Sequence, residues 1–287
     1  MNNERRTTPG LWPRIRLGWR IAAFLTATVA LYLGLRLDGL FRRRLSKIER
    51  INLWVPRWAR TFLWLFGVHV EARGPHLDAK QLYPGCDSNG VGRIFVANHR
   101  SAIDIPVVLS LFAGHAISRH DLANWPLFGS LGKQVGTLYV DRSSRRSGAE
   151  VLGEVDASLK SGEGVVMFPE GTSHLGDDVH AFRPGAFKAA ERAGAQLVPW
   201  AIAYEDDDAH YYHESFTNHL LRIGTRRRLH VAVVAAEPIS PDGRTAIEVR
   251  DAVQEQVQAM VHEARSLIQP SYTKAVTQAK PLADVSL

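Results

Sequence analysis

The sequence predicts an α/β fold, a layered mixed sheet flanked by helices, with a helical pair ahead of it. Three observations predict this. Short, β-branched apolar runs recur through the middle of the chain. Segments with apolar residues at three- and four-residue steps lie between them. The front of the chain instead carries long helical patterns rich in arginine. Strands alternating with helices imply helices layered on a sheet. With 287 residues, 45% hydrophobic and 22% charged, there is room for one large domain plus an appendage, and global disorder is excluded. The single cysteine, Cys86, excludes an intrachain disulfide framework and fits a reducing compartment.

Residues 1–12 read as a loose tail and residues 14–70 as two helices. Ile21 to Leu35 is an uncharged run. As a helix it spans roughly 22 Å, at about 1.5 Å per residue. A bilayer core of about 30 Å asks for about 20 residues. Snorkelling by Arg20 and Arg36 would extend its reach. Positive charge on both sides gives no orientation signal, so a span and an interfacial helix both fit. No small-x-small cleavage site follows at a signal-peptide distance. Ile51, Trp54, Val55, Trp58, Phe62, Leu65 and Phe66 form a second stripe, with Pro56 expected near the helix start. Trp and Arg on such a helix suit the headgroup boundary, and packing on the chain's own core is the plain alternative.

Charge follows the same division. Residues 1–60 hold 13 Arg and Lys against three acids, a local +10. The whole chain is +6, so the remainder is −4. The basic front must meet something anionic. The apolar runs beside it favour an anionic membrane surface over nucleic acid.

Pro75 to Gly92 is rich in Gly, Pro and Asp and reads as a connection. Strands are expected at Ile94–Ala97, Thr137–Val140, Val165–Phe168, Leu197–Ile202 and Leu229–Val234, all nearly continuous in apolar character. Ala149, Leu152, Val155 and Leu159 follow helical spacing, as do the apolar positions from Ile247 to Leu267. The predicted divisions are 1–72 for the tail and membrane-associated helices, 73–268 for the main domain, and 269–287 for a mobile tail.

Chemistry concentrates after two of these strands. Asn98-His99-Arg100-Ser101-Ala102-Ile103-Asp104 follows the first. On a regular helix His99 and Asp104 would stand about 140° apart. They meet only if His99 lies in a loop and Asp104 in the first helical turn. Pro106 allows this, because proline is tolerated only near a helix start. Asp104 would then orient one imidazole nitrogen and leave the other to take a proton. The plain alternative makes Asp104 a cap, or part of a Ser101-x-x-Asp104 capping box, and His99 a surface residue. Phe168-Pro169-Glu170-Gly171-Thr172 ends a later strand with an acid, a residue permitting close backbone approach and a hydroxyl. Asp141-Arg142 ends another, and the Arg142 guanidinium suits a phosphate, or a surface salt bridge. Open α/β sheets place ligands at these carboxyl ends.

Together these residues resemble the glycerolipid acyltransferases, specifically the 1-acylglycerol-3-phosphate acyltransferase group and its bacterial relatives. The Asn-His-x-x-x-x-Asp block is Asn98–Asp104, the strand-ending aspartate-arginine is Asp141-Arg142, and the Phe-Pro-Glu-Gly-Thr block is Phe168–Thr172. A later apolar-proline segment is Val198–Ile202. The four occur in family order over roughly residues 90–205. The resemblance implies a general base, His99, oriented by Asp104, acting on the free hydroxyl of a lysophospholipid. That oxygen attacks the thioester of acyl-CoA or acyl carrier protein, a co-substrate, with no covalent acyl-enzyme, cofactor or metal. Asn98, Arg142, Glu170, Gly171 and Thr172 would bind and position the acceptor. The implied location is the cytoplasmic face of the inner membrane. The acceptor implied first is 1-acylglycerol-3-phosphate, giving phosphatidate. One departure bears on it: many phosphatidate-forming relatives carry an arginine after the Gly-Thr, and here Ser173 stands there. Relatives with a small residue at that point include enzymes acylating lyso-ornithine lipid. Arg142, Arg183 or Lys188 would then have to supply the charge.

Three readings compete. Ser173, His174 and Asp177 raise a serine hydrolase, although no Gly-x-Ser-x-Gly elbow surrounds Ser173. Asp206, Asp207, Asp208, His210, His213 and His219 raise a metal site, although no His-Glu-x-x-His pattern is present. An inactive membrane scaffold is the third.

Overall fold

The structure, a computed structural model, describes residues 10–41, 44–125, 128–141 and 145–269. Two helices lead it, α1 (Leu11–Phe41) and α2 (Lys47–Phe66). The Ser46 hydroxyl accepts from the Glu49 amide at 3.1 Å, and the Glu49 carboxylate accepts from the Ser46 amide at 2.7 Å. This reciprocal cap fixes the start of α2. Pro56 therefore lies inside the helix and buried, not near its start as the sequence suggested. Gly67 closes α2 in the left-handed region, φ 69°, where a side chain would collide with the Arg227 carbonyl oxygen.

Among the described residues, seven strands follow: β1 (Val68–Arg73), β2 (Ile94–Val96), β3 (Gly114–Arg119), β4 (Leu138–Val140), β5 (Gly164–Met167), β6 (Leu197–Tyr204) and β7 (Leu229–Ala235). They form one sheet in the order β1-β7-β6-β2-β5-β3-β4. Every neighbouring pair is parallel except β6 and β7, so the sheet is mixed, as expected. Helices α3 (Asp104–Leu111), α4 (Phe128–Gln134), α5 (Arg145–Lys160), α6 (Gly185–Ala193), α7 (Phe216–Thr225) and α8 (Ala246–Ile268) complete the layers. The five expected strands form β2 and β4 to β7. The helical pair stops earlier than the sequence reading, which ran it to residue 70: residues 68–73 are the edge strand β1, paired to β7. Strand β3 was not expected either.

The core sits on β2, β6 and β7. Every residue of β2 and β6 is buried, which is why both read as unbroken apolar runs. In contrast, α1 buries only Arg20, Phe24 and Thr28. It exposes Leu11, Trp12, Ile15 and Trp19, and Trp64 of α2 is exposed too. Among the described residues α1 is the one helix long and apolar enough to cross a membrane. Arg20 does not snorkel; it is buried against the carbonyls of Gly224, Arg226 and Arg227.

Because β5, β2 and β6 are neighbours and parallel, their carboxyl ends open on one edge. The segments after residues 96, 167 and 204 therefore converge.

Candidate active site

Asp104 is the first residue of α3, and His99 lies in the loop before it, the placement their pairing requires. His99 Nδ1 stands 2.7 Å from Asp104 Oδ2. The same oxygen accepts from the Arg100 and Ser101 amides at 2.7 and 3.0 Å, so Asp104 gathers the turn and orients the ring together. Its other oxygen accepts the Tyr204 hydroxyl. Asp104 is 0% exposed. Burial would raise its pKa; the hydrogen bond and charge of His99, then the Tyr204 hydroxyl and the Arg100 amide, outweigh that and hold the carboxyl below its usual range. The carboxylate can only accept at Nδ1, so the neutral imidazole carries its proton there and its Nε2 lone pair is the proton acceptor. The ring is stacked on Phe168, centroids 4.3 Å apart.

His99 opens onto a cavity of about 1050 Å³ bounded by α1, α2, α7 and the carboxyl edge of the sheet. Its wall is largely apolar, with Phe24, Leu31, Trp58, Phe62, Leu220 and Ile223 among the lining residues. Thr172 and Ser173 line the same cavity.

The remaining predicted site residues separate. Asn98 does not face the cavity. Its side chain bridges to β6, donating to the Ile202 carbonyl at 2.9 Å and accepting from the Ile202 amide at 3.0 Å. Glu170 is buried as well. It accepts from the His99 amide at 2.6 Å, from Arg100 Nη1 at 2.9 Å and from the His180 amide at 2.9 Å. Backbone groups and Arg100 thus engage the polar atoms of Asn98 and Glu170, and both residues brace the two turns. Gly171 has φ 79°, and a Cβ there would meet the Arg183 guanidinium at 2.7 Å, so its lack of a side chain makes room for that cation. Arg183 and Lys188 are exposed. Arg142 lies outside the described residues; Asp141 before it lines the cavity.

Arg100 and Tyr204 were not singled out in the sequence, and His219 was raised only as a metal ligand. Arg100, inside the first motif, bonds the carbonyls of His99, Gly176 and Asp178 and pairs with Glu170. Tyr204 closes β6 and reaches Asp104 across 100 positions of sequence. His219 of α7 accepts from the Ala102 amide at 3.2 Å and lies 3.0 Å from the Ser101 hydroxyl. Spacing gave no signal for any of these.

The hydrolase triad does not assemble. Ser173 donates to the Tyr211 carbonyl at 2.8 Å, Asp177 is held by Arg265 at 2.6 and 2.9 Å, and His174 stacks on His180. The acidic, His-containing stretch is likewise dispersed: Asp206 pairs with Arg226, while His219 meets Glu214, the Ser101 hydroxyl and the Ala102 amide.

A loop imidazole held by a buried carboxylate on the wall of a largely apolar cavity is a proton-accepting site. The chain belongs to the acyltransferase family, whose model matches residues 52–203. It is similar to the lyso-ornithine lipid O-acyltransferase of Pseudomonas aeruginosa, 30% identical over 85% of this chain and 93% of that protein. It is similar to the 1-acyl-sn-glycerol-3-phosphate acyltransferase of Neisseria gonorrhoeae, 28% identical over 60% of this chain and 70% of that one. Its fold matches the crystal structure of the 1-acyl-sn-glycerophosphate acyltransferase PlsC of Thermotoga maritima, with a TM-score of 0.56 and 25% identity over 85% of this chain and 97% of that chain. The protein is a glycerolipid or lyso-lipid acyltransferase.

Proposed function

We propose that this enzyme moves a fatty acyl group from acyl-CoA or acyl carrier protein to the free hydroxyl of 1-acylglycerol-3-phosphate, giving phosphatidate, at the cytoplasmic face of the inner membrane. The carrying observation is the His99–Asp104 pair, fixed at Nδ1 and open at the cavity. Nε2 takes the hydroxyl proton as the oxygen attacks the thioester carbonyl. The tetrahedral adduct collapses, the C–S bond breaks, and the imidazolium returns the proton to the departing thiolate. An ester and a free thiol result. Base catalysis of this kind contributes roughly 10²–10⁴-fold. The apolar cavity suits an acyl chain, and the exposed tryptophans and leucines of α1 and α2 suit a lipid surface.

A second acceptor, lyso-ornithine lipid, is favoured by one observation. Ser173 stands where a phosphate-binding arginine would be, and its hydroxyl is already bonded to the Tyr211 carbonyl. A phosphate would then depend on Arg142 or Arg183. An acceptor panel decides: purified protein, one labelled acyl thioester, and each lyso-lipid in mixed micelles. Phosphatidate formation is the expected result. Turnover confined to lyso-ornithine lipid moves the acceptor, and absence of transfer to every acceptor overturns the reaction. Flotation of the intact protein with vesicles rich in phosphatidylglycerol tests the surface, and protein left at the bottom of the gradient would count against it.

A further inference from the structure

Helix α7 touches three things at once. On one side Leu220, Ile223 and Gly224 line the cavity. From its middle, His219 reaches the catalytic turn. Its Nε2 accepts from the Ala102 amide at 3.2 Å and lies 3.0 Å from Ser101 Oγ, and both residues fall between His99 and Asp104. A backbone N–H only donates, so Nε2 is the unprotonated nitrogen, and Nδ1 lies 3.2 Å from Glu214 Oε1 and 3.1 Å from Arg222 Nη2. Arg222, one turn on, holds Glu214 in place. His219 is 0% exposed, so these contacts are shielded from water.

The far end of α7 is held by α1. The last carbonyls of a helix lack partners within it and need donors from elsewhere. Here the donors are arginines of the N-terminal helix. Arg20 bonds the carbonyls of Gly224, Arg226 and Arg227 at 3.1, 2.6 and 3.2 Å, and Arg16 bonds that of Thr225 at 2.8 Å. Arg20 is buried where α1 meets these carbonyls. It fixes α1 to the end of a strut whose middle fixes the base.

We propose that α7 positions the general base: His219 sets the 99–104 turn, Arg16 and Arg20 set α7, and the seat of α1 thereby sets the geometry of His99. His219 and Arg20 are positioning residues and touch no substrate. The inference rests on His99 being the base. It makes the outer helix and a proton-accepting nitrogen parts of one linked system, so that displacing α1 slows chemistry.

The test uses the full-length protein with His219→Leu, His219→Gln, Arg20→Met and the His219→Leu/Arg20→Met pair, with His99→Ala as reference. Each is assayed for kcat and for both Michaelis constants on folded, monodisperse enzyme. Displacing a reacting group by about 1 Å costs on the order of 100-fold. His219→Leu should lower kcat by about 10- to 100-fold with the Michaelis constants little changed. His219→Gln should recover most of it, since its amide again offers an acceptor toward Ala102 and a donor toward Glu214. Arg20→Met should lower kcat in the same way, and the pair should be no slower than the slower single variant, as two links in series require. Unchanged kcat in His219→Leu, or multiplying losses in the pair, overturns the strut. Full activity in His99→Ala would instead overturn the base itself, so the two failures are distinct.

Discussion

The turns at 98–104 and 168–173 meet at the same cavity and handle their polar groups differently. The first presents one imidazole to the cavity and sends Asn98, Arg100 and Asp104 inward. The second presents Thr172 and Ser173 and buries its only charge, Glu170, against Arg100 and the His99 amide. Of the charged groups in the two turns, those that are buried and multiply bonded hold the turns together. The group assigned to the chemistry is the one with a nitrogen left over. A base must exchange protons with a substrate, whereas a brace must not move, and an interior charge with three or more partners is a brace.

The widest separation between these roles should appear in His99→Ala. Loss of the base predicts a fall in turnover of roughly 10²–10⁴-fold. The ring also bonds the buried Asp104 carboxylate, so stability in urea should fall by about 1.5–3 kcal/mol while the protein stays folded. Glu170→Ala should do the reverse and damage the fold. It strands the Arg100 guanidinium, 1% exposed, with no counter-charge. Breaking a buried pair from one side costs about 3–5 kcal/mol. Replacing both partners, as Arg100→Met with Glu170→Leu, should recover part of that loss in urea unfolding. A Glu170→Ala protein as stable as the parent, but with a raised acceptor Michaelis constant, would return Glu170 to the headgroup.

How far the sequence carried differs between these turns in the same sense. His99 and Asp104 were readable because both sides of the pair lie within one loop, and Pro106 located the start of α3. Strands β2, β5 and β6 were readable because burial on both faces leaves an unbroken apolar run. Strand β3 was not, since His115, Ser118 and Arg119 interrupt its apolar pattern; His115 is satisfied internally, at 2.8 Å from the Val135 carbonyl and 3.0 Å from Glu163. Strand β1 alternates Val68, Val70 and Ala72 with polar residues, but the strong stripe of α2 runs directly into it. The braces were unreadable for a different reason. Glu170 and Arg100 lie 70 positions apart, and Tyr204 and Asp104 lie 100 apart, so the partner of each is fixed by the order of strands and not by local spacing.

Tyr204→Phe probes the join between base and brace. The phenol donates to Asp104 Oδ1, and burial and the nearby carboxylate push its own pKa well above 10, so it remains a donor throughout. Deleting it leaves a buried carboxylate oxygen short of one partner, at about 1.5–3 kcal/mol for a bond to a charged group. Stability should fall by about that amount in urea unfolding near neutral pH, while the Michaelis constants stay put. An isosteric variant with parental stability would show that the amides of Arg100 and Ser101 suffice to hold Asp104.

The smallest expected effect is a dependence on acid. Burial lowers the pKa of His219, Arg222 lowers it further, and Glu214 offsets only part, leaving it at about 4 against an ordinary 6.5. Burial shifts His210 in the same direction. A folded imidazole that resists protonation binds fewer protons than the unfolded chain between those two values. The contribution is therefore complete above about pH 6.5, declines as the pH falls, and levels off below about pH 4. From near pH 7 to near pH 5 it amounts to about 2 kcal/mol for His219. Urea unfolding of the parent at both pH values should show a loss of at least that size, because His210 adds to it. In His219→Gln, which cannot titrate, the loss should shrink by about 2 kcal/mol. An equal loss in parent and variant would mean that the ring is already protonated in the folded protein near pH 5, and that its hold on the Ala102 amide is not what keeps the catalytic turn in place.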